Sequence, residues 1–154
     1  AKLPVTFYKS DSQLPAFDDY RMLGRKYRYL MDEPLYPFGH GLSYTKFTYG
    51  TPKYSDGKIS VDVRNTGNYE GAEIVQVYIR RPSDTTGPHK SLRGYEKIHL
   101  QPGENRTVTI DFPEESFENW DEATQSIRVV PGEYEIMVGS SSHDENLKRI
   151  IVRI

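Results

Sequence analysis

The stretch Ile59-Ser60-Val61-Asp62-Val63-Arg64-Asn65-Thr66-Gly67-Asn68 decides the class of fold. Apolar and polar residues alternate along its first half, and a cluster of turn-forming residues follows. Successive side chains of an extended strand point to opposite faces, so the alternation predicts a strand with one face in a core. The residues after it predict a chain reversal. The stretch therefore indicates β-structure built from consecutive strands.

The same alternation recurs along the rest of the chain, and two Pro-Gly pairs between the runs predict type II turns, at Gln101–Glu104 and at Pro131-Gly132. No window shows a sustained helical period, so little helix is expected. Roughly seven short strands in residues 46–154 predict an all-β, antiparallel sandwich of the fibronectin type III or immunoglobulin kind. The irregular segment 114–126 is expected to connect the sheets, with Phe117 and Trp120 both turned inward. The remaining apolar runs are 47–49, 75–79, 98–100, 108–112, 134–138 and 150–154.

The composition limits the function classes. A chain of 154 residues with 36% hydrophobic side chains and a mean hydropathy of −0.71 can build one moderate core. No stretch approaches the roughly 18 apolar residues of a membrane span. The net charge of −2 argues against nucleic acid or an anionic membrane as partner. Without cysteine there is no disulfide, thiol nucleophile or thiolate metal site.

Residues 1–45 differ from the rest and predict an extended arm that precedes the sandwich. Eight of the 12 tyrosines and four of the six phenylalanines lie in the first 54 residues, and prolines are frequent there. Aromatic side chains need a surface to pack against, so the arm is expected to be ordered on a neighbour. Val5-Thr6-Phe7 is expected to form a strand without a partner in this chain. The sequence Ala1–Val5 lacks the features of a signal peptide, and the chain is expected to be a processed or excised piece.

No catalytic, metal or cofactor site is predicted. The carboxylate pairs, such as Asp18-Asp19 and Asp121-Glu122, are sequence neighbours that point apart on an extended chain, so each is expected to be solvated or to cap a turn. The histidines lack metal-site spacing, and His40, between two glycines, is expected to be structural. No serine lies in a nucleophile elbow, and no glycine-rich phosphate loop is present. Asn105-Arg106-Thr107 is formally a glycosylation sequon.

The run Gly24-Arg25-Lys26-Tyr27-Arg28-Tyr29 interleaves cations with aromatic rings. One interpretation is a loop that contacts a sugar or an anion, through Tyr rings and bidentate arginine. The preferred interpretation is that these side chains dock the arm onto a neighbouring domain.

The stretch Pro34-Leu35-Tyr36-Pro37-Phe38-Gly39-His40-Gly41-Leu42-Ser43-Tyr44-Thr45-Lys46-Phe47 resembles a hallmark of glycoside hydrolase family 3. In that family it joins an α/β sandwich domain to a C-terminal fibronectin type III-like domain. Residues 2–7 look like the last strand of the preceding domain. Further landmarks are similar at 65–67, 92–95, 100–104, 131–134 and 138–142.

The resemblance implies a non-catalytic accessory domain of a retaining exo-β-glycosidase. The family's catalytic barrel and both its catalytic carboxylates are not expected in this chain. The partners implied are the catalytic domains of the same longer chain, and an oligosaccharide is a further possible partner. No cofactor, nucleic acid or membrane insertion is implied, and the family's usual location is periplasmic or secreted.

The run at 24–29, followed by the Pro37-Phe38-Gly39 motif, is similar to β-xylosidase branches of the family more than to β-glucosidase branches. Arg25, Tyr27 and Arg28 are the candidates for a place near the substrate of the longer enzyme. The residues expected to contact its other domains are Phe7, Tyr36, Phe38, His40 and Tyr44. An exposed apolar face on the arm is also expected, involving Phe7, Tyr8, Phe17 and Tyr36.

Two alternatives stay open on the residues alone. An independent carbohydrate-binding module would need a platform of exposed rings, and Trp120 is the single tryptophan. A cell-surface adhesion sandwich is compatible with the fold, and no motif supports it.

Overall fold

The strands of the sandwich begin at Phe47, as the alternating pattern predicts. A computed structural model describes residues 2–154. Seven of its strands coincide with the predicted runs, and three short ones are additional: β2, β7 and β8. The strands are β1 (Phe47–Tyr49), β2 (Lys53–Ser55), β3 (Lys58–Asn65), β4 (Gly71–Arg80), β5 (Ser91–Leu100), β6 (Asn105–Asp111), β7 (Glu118–Asp121), β8 (Ser126–Val129), β9 (Glu133–Gly139) and β10 (Leu147–Arg153).

Two antiparallel four-stranded sheets form the sandwich. In the first, β3 pairs with β6 on one side and with β1 and β2 on the other. The second has the order β10-β9-β4-β5. Strands β7 and β8 form a separate hairpin. Within residues 2–154, helical structure is limited to α1 (Lys26–Tyr29) and three short 3-10 turns at Asp11–Gln13, Glu114–Phe117 and Asp144–Asn146.

The core lies between the two sheets and ends in a cluster of aromatic rings. Phe117 packs edge-on against Phe112, Tyr54 and Tyr134, with ring centroids 5.2–5.5 Å apart. The aliphatic residues of the alternating runs fill the rest of the space, as their period predicts. These residues include Ile59, Val61, Val63, Val75, Val77, Ile98, Leu100, Val108, Ile110, Ile136 and Val138.

Strand β4 departs from the alternation because both of its faces are covered. Gln76 and Tyr78, which point away from the core between the sheets, are buried as deeply as Val75 and Val77. A second cluster explains this, since Tyr78 packs there with Met137 and with two aromatic side chains of the arm, Tyr27 and Phe38. The arm is thus a third layer over the second sheet.

Three details of the sequence-based predictions are wrong. Phe7 has a partner in this chain, because its backbone pairs with Tyr36 farther along the arm. Trp120 is 49% exposed, since it lies in the β7–β8 hairpin, and of the two rings only Phe117 is turned inward. Gly132 has a φ of 150°, far from the value near +80° that a type II turn requires, and its N–H donates to the Ile154 carbonyl, so Pro131-Gly132 forms a bend of another kind. The type II turn with Gly103 at its third position is present, closed by Glu104 N–H on Gln101.

Candidate interdomain docking surface

The motif that begins at Pro37 folds into a tight turn that docks the arm onto β4. His40 N–H donates to the Pro37 carbonyl (3.0 Å), and Gly39 at the third position has a φ of +78°. A Cβ on Gly39 would lie 2.2 Å from Oε1 of Gln76. Only glycine therefore allows both this turn and this close approach to the strand.

Gln76 connects the arm to the sandwich through its side-chain amide. Nε2 donates to the Ser140 carbonyl (2.7 Å) and lies 3.5 Å from the Gly39 carbonyl, while Oε1 accepts from the Tyr78 hydroxyl (2.5 Å). Burial raises the pKa of that hydroxyl, so it remains a donor. The backbone adds a bond from Ser142 N–H to the Phe38 carbonyl (2.9 Å). A buried amide with its groups paired favours one position of the arm.

Tyr27 and Phe38 form the apolar part of the contact. Their rings stack with centroids 4.5 Å apart, and Tyr27 meets the buried ring of Tyr78 edge-on at 5.9 Å. The Tyr27 hydroxyl accepts a bond from Leu92 N–H at the start of β5 (3.1 Å). Tyr27 and Phe38 thus bind the arm to its own sandwich. The sequence alone does not show whether these two side chains point toward the sandwich or away from it.

The arm is a closed loop held together by its own backbone. Leu3 exchanges two hydrogen bonds with the 39–40 turn, and Phe7 pairs with Tyr36 (Phe7 N–H to Tyr36 O, 2.9 Å). His40 is half-buried and stacks on Tyr36, with centroids 5.1 Å apart. The predicted structural role of His40 agrees with this packing.

Two ion pairs help to hold the arm in place, one between Lys2 and β4 and the other between Lys9 and Glu33 within the arm. Lys2 donates to the buried carboxylate of Glu73 on β4 (2.8 Å) and to the Ser140 carbonyl (3.0 Å). The Lys9 ammonium, bonded to Glu33 (2.6 Å), and the nearby His143 imidazole hold the pKa of the Glu33 carboxyl below its usual value. Removal of one partner would leave the buried Glu73 without its counter-charge.

Many large apolar side chains of the arm are open to solvent. Phe17, Leu42 and Tyr44 are each more than nine-tenths exposed, and Phe7 and Tyr36 are nearly half exposed. Tyr8 is half-buried, and its hydroxyl accepts from Lys26 N–H (3.1 Å). The exposed set also includes Leu14, Tyr20, Leu23 and Leu35. An apolar surface of this extent is typical of an interaction site.

The two arginines singled out in the arm lie apart. Arg25 donates to the backbone carbonyls of Asp19 (2.5 Å) and Arg21 (3.2 Å), so it braces a local turn. Beside it, a hydrogen bond from the Arg21 side chain lowers the pKa of the half-buried Asp19 carboxyl to about 2. Arg28 lies on the other side of α1, over the Tyr29 ring at 5.7 Å.

Gln76, Tyr78 and Ser140 are docking residues that were missed. The signal for them is the run Ile74–Ile79, which is almost continuously apolar instead of alternating. Such a run is typical of a strand covered on both faces.

Two further observations concern chemistry and membranes. Across residues 2–154, no group of three or more His, Asp or Glu side chains is arranged to hold a metal ion. In the same part of the chain, no helix has the length and hydropathy to cross a bilayer.

Comparison with known proteins gives consistent matches. Residues 73–142 match the fibronectin type III-like domain family. The chain is 46% identical to a xylan 1,4-β-xylosidase of Xylanibacter ruminicola, over 99% of this chain and 18% of that protein. It is 36% identical to a periplasmic β-glucosidase of Salmonella typhimurium, over 92% of this chain and 21% of that one.

A solved structure has the same fold. The GH3 β-glucosidase of Bifidobacterium adolescentis superposes with a TM-score of 0.82 and 26% identity, over 99% of this chain and 25% of that chain. The chain thus spans about a fifth to a quarter of the length of these proteins.

Proposed function

The chain carries the fibronectin type III-like domain of glycoside hydrolase family 3, and from this membership we propose that it is a non-catalytic accessory segment supporting the catalytic domains of a longer chain. The sandwich is the rigid body of the segment, and the arm is the element that joins it to those domains.

The observation that carries the proposal is that the arm is docked through some of its residues and exposed at others. Tyr27, Phe38 and Gly39 hold it to β4 and β9, while other large apolar side chains of the arm are open to solvent. Full burial of one such side chain contributes about 1.5–3 kcal/mol. The length of the matched proteins supplies an occupant, because most of each relative lies outside the matched segment.

Within this surface we assign the contacts to individual residues. Phe7, Tyr36 and Tyr44 contact the catalytic domains directly, since their rings are exposed. Phe38 and His40 support these contacts indirectly. Phe38 stacks on Tyr27 beneath the turn, and His40 stacks on Tyr36. The catalytic carboxylates are contributed by the longer chain, which is a retaining exo-β-glycosidase in this proposal.

For the longer enzyme we propose terminal β-xylosides of plant-type oligosaccharides as the preferred substrates, ahead of β-glucosides. The run at 24–29 and the name of the X. ruminicola relative support this preference. We propose a periplasmic or secreted location, supported by the periplasmic S. typhimurium relative.

The accessory role is tested in the longer enzyme with Tyr44→Ser and a matched control, Tyr69→Ser. Both tyrosines are largely exposed here, but Tyr44 belongs to the arm and Tyr69 to the turn between β3 and β4. We expect Tyr44→Ser to lower the thermal midpoint of the longer enzyme and Tyr69→Ser to leave it unchanged.

Hydrolysis assays complete the test. The 154-residue chain is expected to be inactive on aryl β-xylosides and β-glucosides, and the longer enzyme to prefer the xyloside. Equal midpoints for the two tyrosine variants, or turnover by the purified 154-residue chain, would contradict the accessory role.

A further inference from the structure

One cavity of the molecule is lined in part by Arg28 and Tyr29 of α1. It encloses about 880 Å³ between the arm, the loop after β4, the β7–β8 hairpin and the start of β5. This volume is within the range typical of small-ligand sites. Three arginines line it, Arg28 from the arm, Arg81 from the loop after β4 and Arg93 from β5.

The acidic residues of the cavity leave two of these arginines without a direct ion pair. Asp84 pairs with Arg81 (3.2 Å), and Asp121 pairs with Arg128 (2.8 Å). The carboxylate of Glu122 accepts from the Gln125 amide. Arg93 donates to the backbone carbonyl of Glu118 (2.6 Å) and to Oδ1 of Asn119 (3.3 Å), and the Glu118 carboxylate acts on it only as a nearby charge. Within residues 2–154, neither Arg28 nor Arg93 forms an ion pair.

The surroundings of Arg28 and Arg93 are unfavourable for two cations. The Nε of Arg28 is buried and donates to no group of residues 2–154. Burial and the neighbouring charge of Arg28 lower the pKa of the Arg93 guanidinium. Two neighbouring guanidinium groups, one of them with a buried and unpaired Nε, favour an anion between them. Arginine binds carboxylates bidentately, which gives such a site geometric specificity.

Aromatic surface lies beside these cations. Trp120 is half exposed in the wall of the cavity, and Tyr29 lines it from the arm. A flat indole face can pack against the apolar face of a sugar ring, while the polar edge of the ring meets nearby donors such as the Arg93 guanidinium. An anion alone would not require this platform.

We propose that this cavity binds a sugar acid, with the carboxylate of a uronic acid between Arg28 and Arg93 and the pyranose ring on Trp120. The site is separate from the accessory role, and failure to bind would leave that role unaffected.

The test uses the single tryptophan as its reporter, because Trp120 itself lines the site. The 154-residue chain is titrated with methyl glucuronide, with methyl glucoside, which has a hydroxymethyl group in place of the carboxylate, and with sodium acetate, all at constant ionic strength. We expect a saturable fluorescence change with the glucuronide at concentrations where the other two give none.

Variants then assign the response to the arginines. Arg28→Gln and Arg93→Gln should each weaken glucuronide binding by about tenfold or more, as expected for loss of a charge-assisted hydrogen bond. Arg64→Gln, an exposed position on β3, is the matched control and should bind normally. Thermal unfolding checks that each variant is folded. Arg28→Lys keeps the positive charge without the bidentate guanidinium and should recover part of the affinity.

Four results would overturn the proposal: no saturable response, equal responses to glucuronide and glucoside, an acetate response as strong as the glucuronide response, or normal binding by a folded Arg28→Gln variant. Equilibrium dialysis of labelled glucuronide against the longer enzyme separates the two possible sources of a carboxylate. Binding that is lost in Arg28→Gln supports the free sugar acid. If labelled glucuronide does not bind to the longer enzyme, the proposal is overturned, and the cavity is then assigned to a carboxylate of the longer chain.

Discussion

Replacement of Gly39 by alanine is the sharpest perturbation of the arm. The residue has a φ of +78°, and its missing Cβ is the space that the Gln76 amide fills. An added methyl group therefore costs free energy in the backbone. It also displaces the Gln76 side chain, which lies between Gly39 and the Ser140 carbonyl.

The magnitude follows from these two costs. A non-glycine residue in the left-handed region costs about 1–2 kcal/mol. Displacement of Gln76 breaks the bonds with Ser140 and Tyr78, at about 1 kcal/mol each. The docked state of the arm should thus be destabilised by about 3 kcal/mol relative to the undocked state. This corresponds to roughly a hundredfold increase in the population of the undocked arm.

Amide hydrogen exchange measures this opening directly. The N–H of Ser142 donates to the Phe38 carbonyl, so its protection depends on the docked arm, whereas amides in the β3–β6 ladder report on the sandwich. Gly103→Ala is the matched control, because Gly103 has the same φ of +78° and no atom within 4 Å of the added Cβ. It should lower the free energy of unfolding by the backbone cost alone and leave the Ser142 amide protected relative to the ladder.

The reasoning fails under two results. One is unchanged exchange of the Ser142 amide in Gly39→Ala. The other is equal loss of protection at Ser142 and in the ladder, which would mean that the arm and the sandwich unfold as a single unit.

Two further predictions concern the core and the acid response. Phe117→Ala should lower the free energy of unfolding by about 3–5 kcal/mol in urea titrations, because it removes a fully buried ring, while Trp120→Ala should change it far less; equal losses would contradict the assigned orientations. The pKa of Glu33 is lowered in the folded chain, chiefly by Lys9, so its contribution is complete above its ordinary value of 4.5 and lost as pH falls through the lowered value. Proteolysis of the arm should accelerate over that acid range in the unsubstituted 154-residue chain, and its rate should depend less on pH in Glu33→Gln. Identical pH profiles of proteolysis for the two proteins would refute this contribution of Glu33.

The sandwich was predictable because its strands follow a simple rule. Each run such as Ile59–Val63 or Val108–Ile110 has one buried face, and side-chain alternation reports that face directly. The missed strands β2, β7 and β8 are three or four residues long, which is too short for a period to be visible.

The docking surface was only partly predictable. Composition indicated an ordered arm, but whether Tyr27 or Tyr44 turns toward the sandwich depends on tertiary packing, since both lie in similar aromatic surroundings in the sequence. Trp120 was misassigned because hydrophobic size favours burial on average, whereas here the adjacent hairpin leaves it at the surface.

The contact between Lys2 and Ser140 spans 138 positions of the chain, and this separation sets the order of events during biosynthesis. The arm leaves the ribosome before β9 and β10, which complete its binding surface on the sandwich. Tyr27 and Phe38 therefore have no complete sandwich to pack against until those strands have been made. Docking of the arm onto the sandwich is thus a late step of folding, and a ribosome stalled before residue 140 would carry an arm that lacks its contacts with Ser140 and Ser142.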